Sequence, residues 1–132
     1  FFTVGSLDYL KMGGRIGKVA TAATGKLGVK PVIIMKDGDI GLGGIGRNRN
    51  KLKNSVLQVA KKYLDENNKD NFIVSVGYGY DKEEGFEFMK EVESTLDVKL
   101  DSETNVAIGI VSAVHTGPYP IGLGVIRKYE TL

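Results

Sequence analysis

The sequence predicts an α+β fold: a two-layer sandwich of a mixed β-sheet with helices on one side, preceded by a short helical lead-in. Three observations carry this prediction. Two segments repeat apolar residues at helical spacing. Several apolar runs around them are too short to be helices of their own. Asp37-Gly38 marks a tight hairpin between two of those runs. The order strand, strand, helix, strand, helix, strand then places two helices on one sheet.

The chain opens on Phe1-Phe2-Thr3-Val4, which reads as a strand or a buried extended segment. Two phenylalanines left in water would each cost ~1.5–3 kcal/mol, so the opening is read as a cut edge and the chain as the C-terminal part of something longer. Ser6 is placed to cap a short helix over residues 7–12, with Asp8 at the positive end of its dipole. Gly13-Gly14 stops that helix. A second helical piece is expected over 17–27, burying Val19, Ala20, Ala23 and Leu27 and weakened by Gly25 and Gly28.

Residues 32–35 form a strand, and Asp37-Gly38 turns it into a return arm over 40–45 that is glycine-laden and intrinsically weak. Lys36 and Asp39 face each other across the turn. Leu52, Val56, Val59, Ala60, Tyr63 and Leu64 share one side of a helical period, with Lys51, Lys53, Lys61 and Lys62 elsewhere. Residues 72–76 read as a buried strand, and Phe86, Met89, Val92 and Leu96 mark the buried side of a second amphipathic helix. The longest apolar run, 106–114, is taken as a strand, and Val125-Ile126 as a short final one.

At 132 residues the chain is one domain with room for a core. Its net charge of +2 gives no single-sign field suited to holding a nucleic-acid backbone. With no cysteine and one histidine, thiol catalysis and thiolate or His-rich metal sites are excluded. The apolar segments fall short of the ~20 residues that span a bilayer. Without a basic-then-apolar leader, the chain is expected to be cytoplasmic.

Val114-His115-Thr116-Gly117-Pro118 is the most informative stretch for function. The only histidine follows an apolar run and precedes a hydroxyl and a turn, so side chains and amides gather at a sheet edge. That setting suits the oxygens of a small anion such as a carboxylate. The plain alternative is a surface histidine or one held by a structural hydrogen bond.

Other motifs carry less. Gly41-Leu42-Gly43-Gly44-Ile45-Gly46 matches G-x-G-x-x-G but occupies the return arm of a hairpin, and no Gly-Lys-Ser/Thr follows, so nucleotide binding is rejected. Arg47 and Arg49 lie just before the helix of Leu52. They are either a solvated helix start capped by Asn48 or Asn50, or a small basic patch that docks an acidic or phosphate-bearing partner. Gly13-Gly14-Arg15-Ile16 is either a helix break or a place where the backbone passes close to something. Catalysis has little support. Ser75, Ser112 and Thr116 supply hydroxyls, but His115 and Thr116 are neighbours that an extended chain would point to opposite faces. The chain is therefore not expected to be an enzyme.

With these residues in hand, the chain resembles the C-terminal domain of the DegV family of bacterial fatty-acid-binding proteins. Its segment S/T-L-x-Y-L-x-x-G-G-R-I is matched from Ser6 through Leu7, Asp8, Tyr9, Leu10, Lys11, Met12, Gly13, Gly14 and Arg15 to Ile16. Lys30-Pro31-Val32-Ile33 with Asp37-Gly38 is similar to its K-P-I-L strand and D-G turn. Arg47-Asn48-Arg49 is similar to its R-x-R element, and the stretch from His115 to Leu123 to its closing H-T-G-P-G-x-x-G-L.

The resemblance implies that residues 1–132 are a C-terminal lipid-binding domain, with 1–28 as the lead-in from a missing N-terminal domain. It implies a long-chain fatty acid held between the two domains, with its carboxylate at their junction. In some members a fatty acid kinase then phosphorylates that carboxylate for phospholipid synthesis. It places His115, Thr116 and Gly117 at the head group, Gly14, Arg15 and Ile16 near the junction, and Arg49 or Arg47 at the kinase. It implies no metal and no cofactor beyond the fatty acid. The departure is Tyr119-Pro120, where the family has Gly and a small residue, which puts the pocket shape in question.

As a carrier half-site the domain should expose an apolar face, built partly from the Val19–Ala23 side and the strand near Val114. A regulatory protein-interaction module without lipid is the alternative. A hydrolase or kinase acting alone would need an acid–base pair around His115 or a nucleotide cradle over 41–46.

Overall fold

The computed structural model describes residues 1–23, 28–100, 103 and 105–132. Among them, strands β1 (Phe2–Thr3), β2 (Lys30–Lys36), β3 (Asp39–Gly46), β4 (Phe72–Tyr78), β5 (Asn105–Ala107) and β6 (Ile121–Arg127) form one sheet in the order β3-β2-β1-β6-β4-β5. Only β4 and β5 run parallel, so the sheet is mixed, as predicted. The opening phenylalanines lie at its centre, with Phe2 opposite both Ile33 and Gly122. Asp37 and Gly38 take φ of 53° and 82°, the positive values a two-residue turn demands, and Lys36 pairs with Asp39. Residues 41–46 sit inside β3 and pair with β2, so they make no phosphate loop.

The helices are α1 (Asp8–Met12), α2 (Ala20–Ala23), α3 (Arg49–Asn67), α4 (Lys82–Leu96) and α5 (Ile110–Thr116). The long pair, α3 and α4, covers one face of the sheet. Leu52, Val56, Ala60 and Leu64 of α3 and Phe88, Val92 and Leu96 of α4 enclose Val32, Val74, Val76, Ile121 and Leu123. Asn48 caps α3, its side chain accepting from the Asn50 and Lys51 amides at 2.9 and 3.3 Å, and Asp81 caps α4 through the Glu84 amide at 3.0 Å. The buried stripe of α4 differs from the predicted one: Phe88 is in the core and Phe86 is outside. Gly85 explains the rotation, because a Cβ there would lie 2.5 Å from the Tyr78 ring. Tyr78 fills that space, and Phe86 stands beside it with ring centroids 6.4 Å apart.

Ile33 follows Val32 along β2 and therefore points to the opposite face. There it joins Val4, Leu10 and Val19 in a second, smaller core against which Phe2, Leu7, Ile16 and Ile40 pack. The lead-in thus lies across the face opposite α3 and α4, and Val19 is buried within it, as its helical spacing predicts, so it is no part of an exposed apolar face. Ser6 accepts from the Asp8 amide at 3.1 Å, while Leu7, at the N-cap position just ahead of α1, makes no side-chain cap. The predicted second helical piece is a 3-10 turn, Gly17–Val19, followed by α2. Its expected end, with Gly25 and Leu27, lies outside the described residues, as does the Ala23 side chain.

The run 106–114 is the main departure. Only its start is strand, and from Ile110 the chain is helical. The ladder of β4 ends at Tyr78, whose carbonyl accepts from the Ile108 amide at 2.8 Å. The Gly79 and Tyr80 amides have turned away to the Pro120 and Pro118 carbonyls. A longer β5 would have no partner strand, whereas a helix satisfies its own backbone. The β-branched residues are overruled by that arithmetic. In contrast β6 is longer than expected and pairs with β4 along its whole length. No described helix is long and apolar enough to cross a membrane.

Candidate functional site

Between α5 on one side and the lead-in on the other runs a groove of about 660 Å³, within the range of small-molecule pockets. Its floor is the sheet face opposite α3 and α4. There the cross-strand pairs are Gly77 with Gly122 and Ser75 with Gly124. Three of those four residues lack side chains, which gives the groove its depth. A Cβ at Gly122 would collide with Phe2, and one at Gly77 would touch Ile108 at 3.5 Å. Val106, Val111, Ser112 and His115 line one wall, and Phe2, Leu10, Arg15, Met35 and Ile40 the other.

The polar end is built by two short helices that exchange side chains. His115, in the last turn of α5, lies where a side chain on Gly13 would be: a Cβ at Gly13 would overlap its Nδ1 and come within 2.9 Å of Cε1. Reciprocally, Tyr9 of α1 lies where a side chain on Gly117 would be, 2.5 Å from that Cβ position. Gly117 takes a φ of 74° as it ends α5. Gly14, with φ of 68°, closes α1 in a Schellman turn: its amide bonds to Lys11 and the Arg15 amide to Leu10, at 3.1 and 2.8 Å. Arg15 then folds back, Nη1 donating to the Gly13 carbonyl at 2.7 Å.

His115 Nδ1 is buried and has no hydrogen-bond partner. That nitrogen is sealed against Gly13, so the groove meets the imidazole through the other atoms of the ring. Ser112, one turn earlier, also lines the groove. Thr116 lines it too, but its hydroxyl donates to the Ser112 carbonyl at 3.1 Å. His115 and Thr116 are therefore not a base and its nucleophile. Among the described residues no group of three His, Asp or Glu could hold a metal.

The expected site residues divide accordingly. His115, Thr116 and Arg15 line the groove. Gly14 and Gly117 shape the turns beside it, and Ile16 packs into the second core. Arg49 is engaged internally, its Nε and Nη2 donating to the two Glu84 carboxylate oxygens at 2.8 and 2.7 Å. The buried Lys53 approaches the same carboxylate at 3.8 Å. Arg47 is exposed. Tyr119 is outside the groove: it covers Gly5 and meets Tyr80 edge-on, with ring centroids 6.2 Å apart. Sequence reasoning missed the glycine floor, although glycines at 122 and 124 alternate with Ile121 and Leu123 at strand period. It also missed that Ser75, between Val74 and Val76, faces away from the main core.

Beside the groove α5 leaves Ile110, Val111 and Val114 exposed, with Met12 of α1 nearby in the fold. The apolar face expected near Val114 is present, on a helix instead of a strand.

The DegV family, described as an uncharacterised protein family, matches residues 1–128. A DegV domain-containing protein of Clostridium acetobutylicum is 35% identical over 129 residues, covering 97% of this chain and 44% of that protein. Another from Clostridium perfringens is 34% identical over 119 residues, covering 89% and 39%. Among solved structures, a Thermus thermophilus DegV family protein described for its fatty acid binding superposes with a TM-score of 0.76 at 26% identity, over 96% of this chain and 44% of its own. A fatty acid binding DegV family protein from Streptococcus agalactiae shares the fold with a TM-score of 0.79 at 19% identity, over 96% of this chain and 44% of its own. The chain spans less than half the length of these relatives. In sequence and in fold, this chain belongs to the DegV family.

Proposed function

We propose that the groove holds the acyl chain of a long-chain fatty acid, with its carboxylate at the His115 end. The single observation that carries this reading is an apolar, glycine-floored groove lined at one end by the imidazole of His115 beside Ser112 and Arg15. Each methylene taken out of water contributes about 0.8 kcal/mol, so retention depends on covering the chain along its length. This groove supplies a floor and two walls, and the exposed Ile110, Val111 and Val114 are where an N-terminal domain of the intact protein completes the cover. Ser112 and Arg15 accompany His115 at the head group, with Thr116, Gly117, Gly14 and Ile16 holding the turns around it.

The protein binds and carries, without chemistry of its own, in the cytoplasm. It presents the carboxylate to a fatty acid kinase that feeds phospholipid synthesis. Arg47 is the exposed cation for docking that kinase, and Arg49 holds the start of α3 in place through Glu84. The similarity to a Thermus thermophilus protein described as fatty acid binding supports the ligand class. The test is organic extraction of the intact purified protein followed by mass spectrometry. A stoichiometric fatty acid is the expected result. A clean protein that also fails to bind added fatty acid would sink the reading in favour of a regulatory interaction module.

A further inference from the structure

We propose that Ser75 is a specificity-determining residue that favours acyl chains bearing a mid-chain hydroxyl or oxo oxygen over plain saturated chains. The inference rests on the acyl-binding reading above.

Ser75 is the only residue with a polar side chain in the two cross-strand pairs that make the floor. Its hydroxyl forms no hydrogen bond with any described residue, and it lies 2.9 Å from where a Cβ on Gly124 would be. The side chain therefore leans across its glycine partner, and the absence of a side chain at Gly124 leaves the hydroxyl uncovered. Along β4 the same face carries Gly77 on one side of Ser75 and Ile73 on the other. Gly77 abuts Ile108, just ahead of α5, so Ser75 sits a further ~6.7 Å along the strand from the helix that carries Ser112 and His115. It is a second polar point, separated from the head-group end by bare glycine floor.

A half-buried hydroxyl of this kind is hydrated when the groove is empty. A saturated chain laid over it removes that water and returns nothing, because methylenes neither donate nor accept. An oxygen on the chain at the right distance from the carboxylate restores the bond, and with no side chain at Gly124 the Ser75 hydroxyl is uncovered to make it. Ile73 and Ile126 beyond this point offer only apolar surface, so the preference is confined to one stretch of the chain.

The experiment uses the intact protein stripped of lipid, with octadecanoic acid and a set of monohydroxy-octadecanoic acids that differ only in hydroxyl position. Affinities are compared for wild type and Ser75→Ala. Wild type should bind the acid with its hydroxyl at one position, or two adjacent ones, roughly 5-fold more tightly than its positional neighbours, as one net hydrogen bond allows. Ser75→Ala should flatten that profile and bind octadecanoic acid at least as well as wild type. A flat profile in wild type, or a peak that survives in Ser75→Ala, overturns the proposal while leaving the acyl-binding reading intact. Failure of wild type to bind any of these acids overturns both.

Discussion

His115 and Gly13 form an interlocking pair: the imidazole fills the space that any side chain at position 13 would require, with Cε1 2.9 Å from the would-be Cβ. The contact joins the ends of α1 and α5, which are separated by about a hundred residues of chain, and it fixes where the orphaned Nδ1 points. Gly117 and Tyr9 repeat the arrangement in the opposite sense. The end of the groove is thus set by two glycines, each making room for a ring from the other helix.

Gly13→Ala should push the His115 ring out of its seat. Overpacking of this kind costs about 1–3 kcal/mol, and urea unfolding of the intact protein should register it. Fatty acid affinity should fall as well, because the ring that lines the groove moves. In the double variant with His115→Ala the stability loss should be largely relieved, since the clash has no second partner. Equal and additive losses would show that the pair does not interact.

His115→Ala alone should weaken fatty acid binding by about 1–3 kcal/mol with little change in unfolding midpoint. The motivation is that the imidazole lines the groove, while its Nδ1 makes no hydrogen bond that the unliganded fold would lose. Titration of the lipid-free protein with a fluorescent fatty acid checks it. An unchanged dissociation constant with a lowered midpoint would make His115 structural and place the head group elsewhere.

Gly124→Val should block the groove while leaving the fold intact. Gly124 is exposed on β6, and its nearest obstacle is the end of the Ser75 side chain. A β-branched residue suits a strand, so stability should hold or rise while fatty acid affinity drops by at least ~10-fold, the equivalent of about 1.4 kcal/mol. Retained binding would show that the acyl chain does not lie along this floor.

The two arginines at the start of α3, Arg47 ahead of its cap and Arg49 as its first residue, should separate cleanly. Arg49→Met removes a two-pronged, half-shielded contact to Glu84 and leaves only Lys53 beside that carboxylate. Between the value of an exposed pair and that of a buried one, the loss should be about 1–3 kcal/mol. Arg47→Ala should leave stability within ~0.5 kcal/mol yet slow kinase-dependent phosphorylation of the bound fatty acid. A strong destabilisation by Arg47→Ala, or unimpaired phosphorylation, would remove it from the docking surface.

The sequence by itself determined the features that depend on neighbours in the chain. Asp37-Gly38 turns because its backbone conformation is cheap there, α3 starts at Asn48 because the cap is local, and Gly13-Gly14 ends α1 for the same reason. The motifs from Ser6 to Leu123 were enough to indicate the family, and His115 and Thr116 among them do line the groove. What only the tertiary structure decided are the places where distant residues compete for one space or one hydrogen bond. Residues 110–116 carry strand-like side chains but are helical, because β4 has no free ladder left to offer them. Phe88 replaces Phe86 in the core because Tyr78 occupies the gap at Gly85. The groove floor exists because Gly77, Gly122 and Gly124 meet across two strands, and no local pattern announces which glycines will be paired. Periodicity reports a residue's own face, whereas a cavity is a property of several faces at once, and that is why the groove had to be found in the fold.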